Sequence, residues 1–319
     1  MRKFLLHLVV FLLFPAFCTF FLYWLPVDKY YAYTFLDKGG CPGRSTWLYQ
    51  QLFEDTTPID IAFMGTSHTM NAVNDSLIAT KLRGNAGLSY RCLNLAYCDF
   101  GRNMDFVLVK DLLAHHKPKI LFLEIRENEA QVGHKQFAWL AKGQDVLSAP
   151  IYFNRSFFPD LYKALMMRLQ YLREQFTHED EARENNKLVA EFGYNPSKGL
   201  ANEQDLKNES QKAAGKSPQP TDDNPLNYAP MEYVAKIVAM CKDQNVTLVL
   251  HYLPQYGYSN GSLWLGNNYS SYSSEIFKMK QEFYELPANW YDAGHLNHQG
   301  ATQFSNELAV YIASRKRKL

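Results

Sequence analysis

Four short runs of apolar residues alternate with amphipathic segments along most of the chain. The runs cover residues 59–65, 92–96, 119–125 and 246–254. Each run is nearly continuous and rich in Leu, Phe or β-branched residues, which is typical of parallel strands that are covered on both faces. The pattern therefore predicts the buried strands of a parallel sheet.

Amphipathic helices are predicted between and after these strands. Residues 103–116, 229–244 and 297–316 each repeat apolar positions at spacings of three and four residues. Strands that alternate with helices indicate a doubly wound α/β fold with a central parallel sheet. Ligands of such sheets bind at the carboxyl ends of the strands, so candidate chemistry is sought there.

The segment from about 130 to 230 interrupts this alternation. It contains one helical pattern at 156–176, and the polar stretch at 197–225 is interpreted as a flexible surface loop because it has few aromatic residues. A second insertion at 255–274 follows the fourth strand and is rich in Tyr, Ser, Asn and Gly. Its position favours a lid or substrate loop, and an ordinary solvent loop is the alternative.

The N-terminus contains the longest apolar run of the chain. Residues 4–25 include His7 as their only strongly polar residue and follow Arg2 and Lys3. About 20 apolar residues are enough to span a bilayer as a helix, and the basic pair favours a cytoplasmic N-terminus. The alternative is a cleaved signal peptide, but no small-x-small cleavage site follows the run.

These patterns divide the chain into three parts. We expect a transmembrane anchor at 1–26, a juxtamembrane lead-in at 27–57, and one α/β domain at 58–319 that carries the insertion at about 130–230. The expected location is the cell membrane, with a single span and an extracytoplasmic α/β domain.

Composition narrows the choice of function. The chain has 33 basic and 32 acidic residues, so no strong positive charge points to a nucleic-acid partner. The spacing of Cys and His residues does not match a zinc site, and no Gly-rich phosphate loop occurs, so no metal or cofactor is expected. The five Cys residues do not form a disulfide framework, although a single bridge that uses Cys41 stays open.

A serine stands where the first strand ends. The sequence "FMGTSH" places Ser67 after Gly65 and before a predicted helix. A serine in this position would be exposed at the crevice of the sheet, with its own backbone N–H available to an anionic intermediate. The alternative is a Ser that caps the following helix.

A carboxylate and an imidazole stand together near the other end of the α/β pattern. In "YDAGHLN", Asp292 and His295 are three residues apart in a turn before the last helix. Acyl transfer by a serine needs a base for its proton and a carboxylate that orients the imidazole. The alternative is an ordinary helix-start turn with an accidental Asp and His.

With these two motifs the sequence resembles the SGNH (GDSL-type) hydrolase superfamily. The resemblance is closest to membrane-anchored envelope proteins of bacteria that transfer D-alanyl groups to teichoic acids or O-acetyl groups to polysaccharides. It covers about 59–128 and 230–312. It implies a three-layer, flavodoxin-like fold, with Ser67 as nucleophile, His295 as base and Asp292 as its orienting acid.

The resemblance also implies an ester substrate on a cell-envelope polysaccharide or acylated polymer. A membrane protein that donates the acyl group is a further partner that it implies. The substrate-binding residues expected from the sequence are His68, Tyr256 and Trp264, and aromatic side chains such as these can stack on sugar rings. His251, at the end of the fourth strand, is interpreted as a core histidine.

The middle motifs of the superfamily match less well. Gly101 is the nearest candidate for the oxyanion-hole glycine, and Asn128 falls on the oxyanion-hole Asn within "RENE". Arg126 replaces the Gly that begins this motif in the superfamily, and Glu129 replaces its final Asp. For Glu124 we expect a structural ion pair with Arg126. These departures support an alternative function, a non-catalytic assembly or binding protein of the envelope.

Overall fold

A computed structural model describes residues 2–127, 129, 133–147, 156–177, 193–214, 228–258, 269–273 and 275–315. The chain forms two compact units, residues 1–49 with 135–188 and residues 50–134 with 189–319. The α-helices in the described residues are, in chain order, α1 (Arg2–Trp24), α2 (Lys29–Leu36), α3 (Arg44–Tyr49), α4 (Ser67–Ala72), α5 (Asp75–Ala86), α6 (Arg102–His115), α7 (Phe137–Leu140), α8 (Gly143–Leu147), α9 (Phe157–Thr177), α10 (Glu203–Ala214), α11 (Tyr228–Asp243), α12 (Gln281–Glu285) and α13 (His298–Ser314).

The larger unit contains a parallel sheet. Its strands are β1 (Ile61–Met64), β2 (Cys92–Asn94), β3 (Ile120–Ile125), β4 (Thr247–Tyr252) and β5 (Ile276–Phe277). Their order is β2-β1-β3-β4-β5, and every pair is parallel. This is the order of flavodoxin-like sheets, in which the crevice between the ends of β1 and β3 is the usual ligand site.

The sheet is covered by helices because its strands are apolar on both faces. All residues of β1 and β3 are buried, and the rings of Phe63 and Phe122 stack across them at 5.0 Å. Helix α13 packs against α4 and α5, while α6 packs against α11. The two groups of helices around one sheet are consistent with a three-layer α/β fold.

The smaller unit is helical. Helix α9 contacts α1, α7 and α8, and α2 contacts α3 and α7. Its core is aromatic: Phe35 meets the edge of Trp139 at 5.0 Å, and Tyr33 is fully buried. Residues 135–188, which lie within the insertion expected at about 130–230, belong to this unit.

The prediction of a transmembrane helix at the N-terminus is wrong. In the part of the chain that the structure describes, no helix is long and apolar enough to cross a membrane. The prediction rested on hydropathy alone. At the C-terminal end of α1, Tyr23 is 3% exposed and the Arg168 guanidinium lies 5.3 Å from its ring.

Two elements of the larger unit differ from the sequence-based expectation. Helix α10 occupies part of the segment predicted as a flexible loop, and Leu206 anchors it with 1% exposure. Strand β5 was not predicted because two residues are too short to show any periodicity. The four predicted strands are present, each shorter than its apolar run.

Candidate active site

Ser67 is the first residue of α4, directly beyond β1. Thr66 caps this helix, since its hydroxyl accepts a hydrogen bond from the His68 N–H at 3.2 Å. The chain can enter the turn only through a glycine: a Cβ on Gly65 would lie 2.5 Å from the Glu124 side chain. The sequence alternative, a Ser that caps the helix, is therefore excluded because Thr66 has that role.

The fold brings Ser67 to Asp292 and His295 although the serine and histidine are 228 residues apart. Ser67 Oγ lies 2.9 Å from His295 Nε2, and His295 Nδ1 lies 2.9 and 3.0 Å from the two carboxylate oxygens of Asp292. A carboxylate can only accept, so Nδ1–H donates to Asp292 and Nε2 is left to accept the Ser67 hydroxyl proton. This is the hydrogen-bond order of a nucleophile, base and orienting acid.

The Asp292–His295 turn is held by its own backbone. Asp292 Oδ1 accepts the N–H groups of Gly294 at 2.7 Å and His295 at 2.8 Å. Burial alone would raise the pKa of Asp292, but its hydrogen bond to the His295 ring and these N–H groups lower it. Asn297 then caps α13 by accepting the Gly300 N–H at 2.9 Å.

A buried carboxylate supports the Ser67 turn from the other side. Glu124, on β3, has a side chain that is 1% exposed and forms an ion pair with Arg126 at 2.9 Å, as expected from the sequence. It also accepts the backbone N–H groups of Thr66 at 2.8 Å and Thr69 at 3.1 Å, together with both threonine hydroxyls. Burial would raise the pKa of Glu124, but the Arg126 charge and these donors hold it well below its usual range.

His251 completes this buried network as the expected core histidine. Its Nε2 lies 2.8 Å from the Thr69 hydroxyl oxygen. Because that hydroxyl donates to Glu124 at 2.6 Å, His251 Nε2–H is the donor to Thr69. Burial lowers the pKa of His251 to about 4, so the ring is neutral near pH 7.

His68 forms a wall of the cleft that contains Ser67. Its ring is 3% exposed and lies 5.1 Å from the His295 ring, centre to centre. Burial, followed by the nearby Arg126 charge, lowers its pKa well below the usual value. His68 is therefore a neutral residue packed beside the base, and its buried Nδ1 has no hydrogen-bond partner among the described residues.

The structure gives less support to the two residues expected in the oxyanion hole than to Ser67, His295 and Asp292. Gly101 caps α6 at φ +147°, and a Cβ there would lie 2.3 Å from the His134 backbone nitrogen, so close packing already explains the glycine. It lines a cavity next to the Ser67 cleft, not the cleft itself. Asn128 lies outside the described residues.

The aromatic residues expected to bind substrate have different positions. The Tyr256 ring packs edge to face with Trp290, and Tyr256 does not line the Ser67 cleft. Its backbone N–H donates to the Ala293 carbonyl at 2.7 Å. Tyr269, another aromatic residue of the insertion at 255–274, is fully buried and donates to Glu129, so it cannot stack on a sugar. Trp264 lies outside the described residues.

Several residues of the Ser67 cleft were missed by sequence reasoning. The cleft encloses about 540 Å³, and its walls include residues of α10 and of the loops after β2 and β4: Asp99, Phe100, Asp205, Leu206, Glu209 and Gln255. The sequence signal for the α10 wall was Leu206, the one leucine of that helix, in a polar stretch. For Phe100, its position directly before Gly101 in the loop after β2 was a usable signal.

Comparisons with family models and with curated proteins identify no relative of this chain. No family model matches the chain, and no curated protein matches it significantly. The geometry of the site is therefore the evidence on which a function has to rest.

Proposed function

We propose that this protein is a serine acyl hydrolase or acyltransferase of SGNH type that acts on an ester of a cell-envelope glycan or polymer. The observation that carries the proposal is the continuous hydrogen-bond relay from Ser67 through His295 to Asp292, with both contacts at 2.9 Å. These are the distances at which a base can take the proton of a serine nucleophile.

In the first step the Ser67 Oγ attacks the ester carbonyl carbon, and the hydroxyl proton moves to His295 Nε2. The resulting imidazolium is stabilised by Asp292, which keeps its negative charge throughout. The tetrahedral intermediate then expels the alcohol, which takes the proton from His295. The acyl group remains on Ser67 as an ester.

In the second step His295 accepts a proton from water or from an acceptor hydroxyl. That oxygen attacks the acyl-Ser67 carbonyl, and Ser67 recovers its proton from His295 as the acyl group leaves. Water gives a free acid, whereas a glycan hydroxyl gives a new ester. The same residues therefore serve hydrolysis and transfer, and the acceptor decides between them.

The developing oxyanion needs hydrogen-bond donors. The backbone N–H of Ser67, at the start of α4, is the first candidate, and Gly101 and Asn128 remain the proposed further donors by resemblance. Removing one such donor costs roughly 10²–10³ in rate in other serine hydrolases.

An extracytoplasmic location is part of the proposal. Cys41 and Cys98 are both disulfide-bonded, while Cys18, Cys92 and Cys241 are free. Disulfides persist mainly in oxidising compartments outside the cytosol. This supports a substrate of the cell envelope over a cytosolic ester.

A non-catalytic envelope protein is the second candidate. It is favoured by the position of Gly101, which packs against His134 beside the neighbouring cavity. In this case the serine, histidine and aspartate would be retained without a competent oxyanion hole.

A fluorophosphonate probe distinguishes the two candidates. An activated Ser67 displaces fluoride from the probe and becomes covalently phosphonylated, and intact-mass measurement detects the adduct. We expect labelling of the unmodified protein, none of Ser67→Ala and strongly reduced labelling of His295→Ala. Ser76→Ala, on α5 and away from the site, is the matched control and should label normally.

The second candidate would be favoured if the unmodified protein stayed unlabelled while its circular dichroism showed a folded chain. Labelling that persisted in Ser67→Ala would reject Ser67 as the nucleophile.

A further inference from the structure

A second, smaller cavity lies beside the Ser67 cleft. It encloses about 220 Å³, which is below the 300–1,000 Å³ of sites that hold whole drug-sized ligands, so it suits one chemical group of a larger substrate. Its lining includes Thr66, which directly precedes Ser67 in the chain. Phe100 and Gln255 line both the cavity and the cleft, so the two spaces adjoin.

The charged groups of this cavity are already paired with one another. Arg102 contacts Glu129 at 2.7 Å and Asp105 at 3.1 Å, and Arg126 contacts Glu124 at 2.9 Å. A charged ligand would therefore be buried here without a counterion, which is costly in a confined, poorly solvated space.

Asp105, although it contacts Arg102, and Glu127, which forms no ion pair in the described residues, add little charge in mildly acidic solution. Burial raises the pKa of Asp105 to about 7 and that of Glu127 to about 7, so both favour the neutral acid in mildly acidic solution. Arg102 and Arg126 then face Glu129 and Glu124 as their ion-pair partners. The balance of the cavity is close to neutral.

Glu127 has hydrogen-bonding capacity left for a ligand. It is 4% exposed, and its Oε1 accepts the backbone N–H of Gln255 at 2.6 Å. Its own backbone N–H is the other described donor to this carboxyl group. Both contacts bring donors to the carboxyl oxygens, so the O–H of the acid has no acceptor among the described residues.

Neutral groups complete the lining. No hydrogen bond to the described residues occupies the Gln255 amide or the Tyr258 hydroxyl, and both residues face the cavity. Phe100 is 42% exposed and is fixed by the Arg126 guanidinium, 3.6 Å from its ring centre. An aromatic face beside neutral donors and acceptors is suited to the C–H face and the hydroxyls of a sugar ring.

We propose that this cavity is the subsite for an uncharged, hydroxyl-bearing sugar ring, the ring whose oxygen carries or receives the acyl group at Ser67, and that Glu127 is its specificity-determining residue. The inference rests on the proposed function and specifies further that the reacting sugar ring is uncharged. Glycans whose reacting ring bears an ammonium or a carboxylate are excluded by this assignment.

Four acetyl esters test the proposal with the full-length protein. Three are methyl pyranosides O-acetylated at one position: a neutral glucoside, its 2-amino counterpart and its uronate. The fourth, p-nitrophenyl acetate, has no sugar ring. We expect kcat/KM for the neutral sugar ester to exceed that of each charged one by about tenfold or more, since a misplaced charge or unpaired polar group costs at least 1–3 kcal/mol.

Substitutions at Glu127 test the residue itself. Glu127→Leu should lower kcat/KM for the neutral sugar ester about tenfold more than for p-nitrophenyl acetate, because a buried hydrogen bond to the ring is lost. Glu127→Gln keeps an acceptor and a neutral donor, so it should retain most of the preference. Glu282→Leu, at an exposed position of α12, is the matched control and should leave the ratio unchanged.

A charged sugar ester that is cleaved as well as the neutral one would overturn the subsite. So would a Glu127→Leu effect that is equal on the sugar and aryl esters. Absence of any Ser67-dependent turnover, including that of p-nitrophenyl acetate, would instead reject the proposed function. Calorimetric titration with methyl glucoside would then decide the subsite alone: binding that Glu127→Leu weakens supports it, and no binding overturns it.

Discussion

The two turns that form the candidate active site are stabilised in opposite ways. The Ser67 turn depends on Glu124, a buried residue 58 positions from Thr66 in the chain, which accepts hydrogen bonds from Thr66 and Thr69. The Asp292–His295 turn depends on hydrogen bonds within four consecutive residues, and its two functional side chains are 49% and 28% exposed. The nucleophile is therefore fixed by long-range burial, and the base by local geometry.

This difference separates activity from stability. A change in the local turn should remove function while leaving the core intact, since the side chains there are partly solvated. A change in the buried network should disturb both, since an unpaired charge or donor remains in the core.

The largest expected effect is the loss of the Ser67–His295 pair. Ser67→Ala and His295→Ala should each lower kcat on an activated ester by about 10⁶-fold, because either change removes the same relay. The double variant should be no slower than the single ones. Additive losses, measured by single-turnover kinetics, would show that the two residues act independently and would contradict the relay.

The substitution Asp292→Asn should have the next largest effect on activity. The amide cannot hold the His295 tautomer that accepts from Ser67, and kcat should fall by up to about 10⁴-fold. Asparagine can still accept the N–H groups of Gly294 and His295, so the urea midpoint should stay close to that of the unmodified protein. A large fall in stability would mean that the turn is not locally supported.

Glu124→Gln should have the opposite profile. Its amide NH₂ would face backbone N–H donors and leave Arg126 without its counterion, so the free energy of unfolding should fall by about 3–5 kcal/mol. The partly exposed Asp55–Arg91 pair provides the control, because Asp55→Asn should cost about 1 kcal/mol or less. Equal costs in urea titrations would remove the contrast between buried and exposed carboxylates.

The smallest expected effect is the loss of folding stability at acidic pH. The pKa of Glu124 is lowered in the folded protein, so its contribution to stability is complete above the ordinary value of 4.5 and is lost as pH falls below it. The pKa of Asp292 is also lowered, but its side chain is half-exposed, so its share should be smaller. Between pH 5 and pH 3, the urea midpoint of the unmodified protein should fall more steeply than that of Glu124→Gln, whereas Asp292→Asn should follow the unmodified protein.

Features that depend on local contacts could be predicted from the sequence, whereas features that depend on long-range contacts could not. The four longer strands could be predicted because buried parallel strands leave continuous apolar runs. Strand β5 could not, since two residues have no period, and α10 could not, since Leu206 is its one strongly buried apolar side chain. The apolar run at the N-terminus was read as a membrane span because hydropathy measures composition and not the packing partner of a helix.

The sequence by itself determined the alternation of strands and helices and the Asp292–His295 motif, because these depend on contacts between residues close together in the chain. Only the tertiary structure decided that Ser67 meets His295, that Glu124 holds the Ser67 turn, and that Gly101 packs against His134. The pairing of Arg102 with Glu129, which contributes to the charge balance of the neighbouring cavity, was likewise decided by the tertiary structure. Each of these contacts joins segments that meet only when the sheet brings its strand ends together, and no local pattern records which segments will meet.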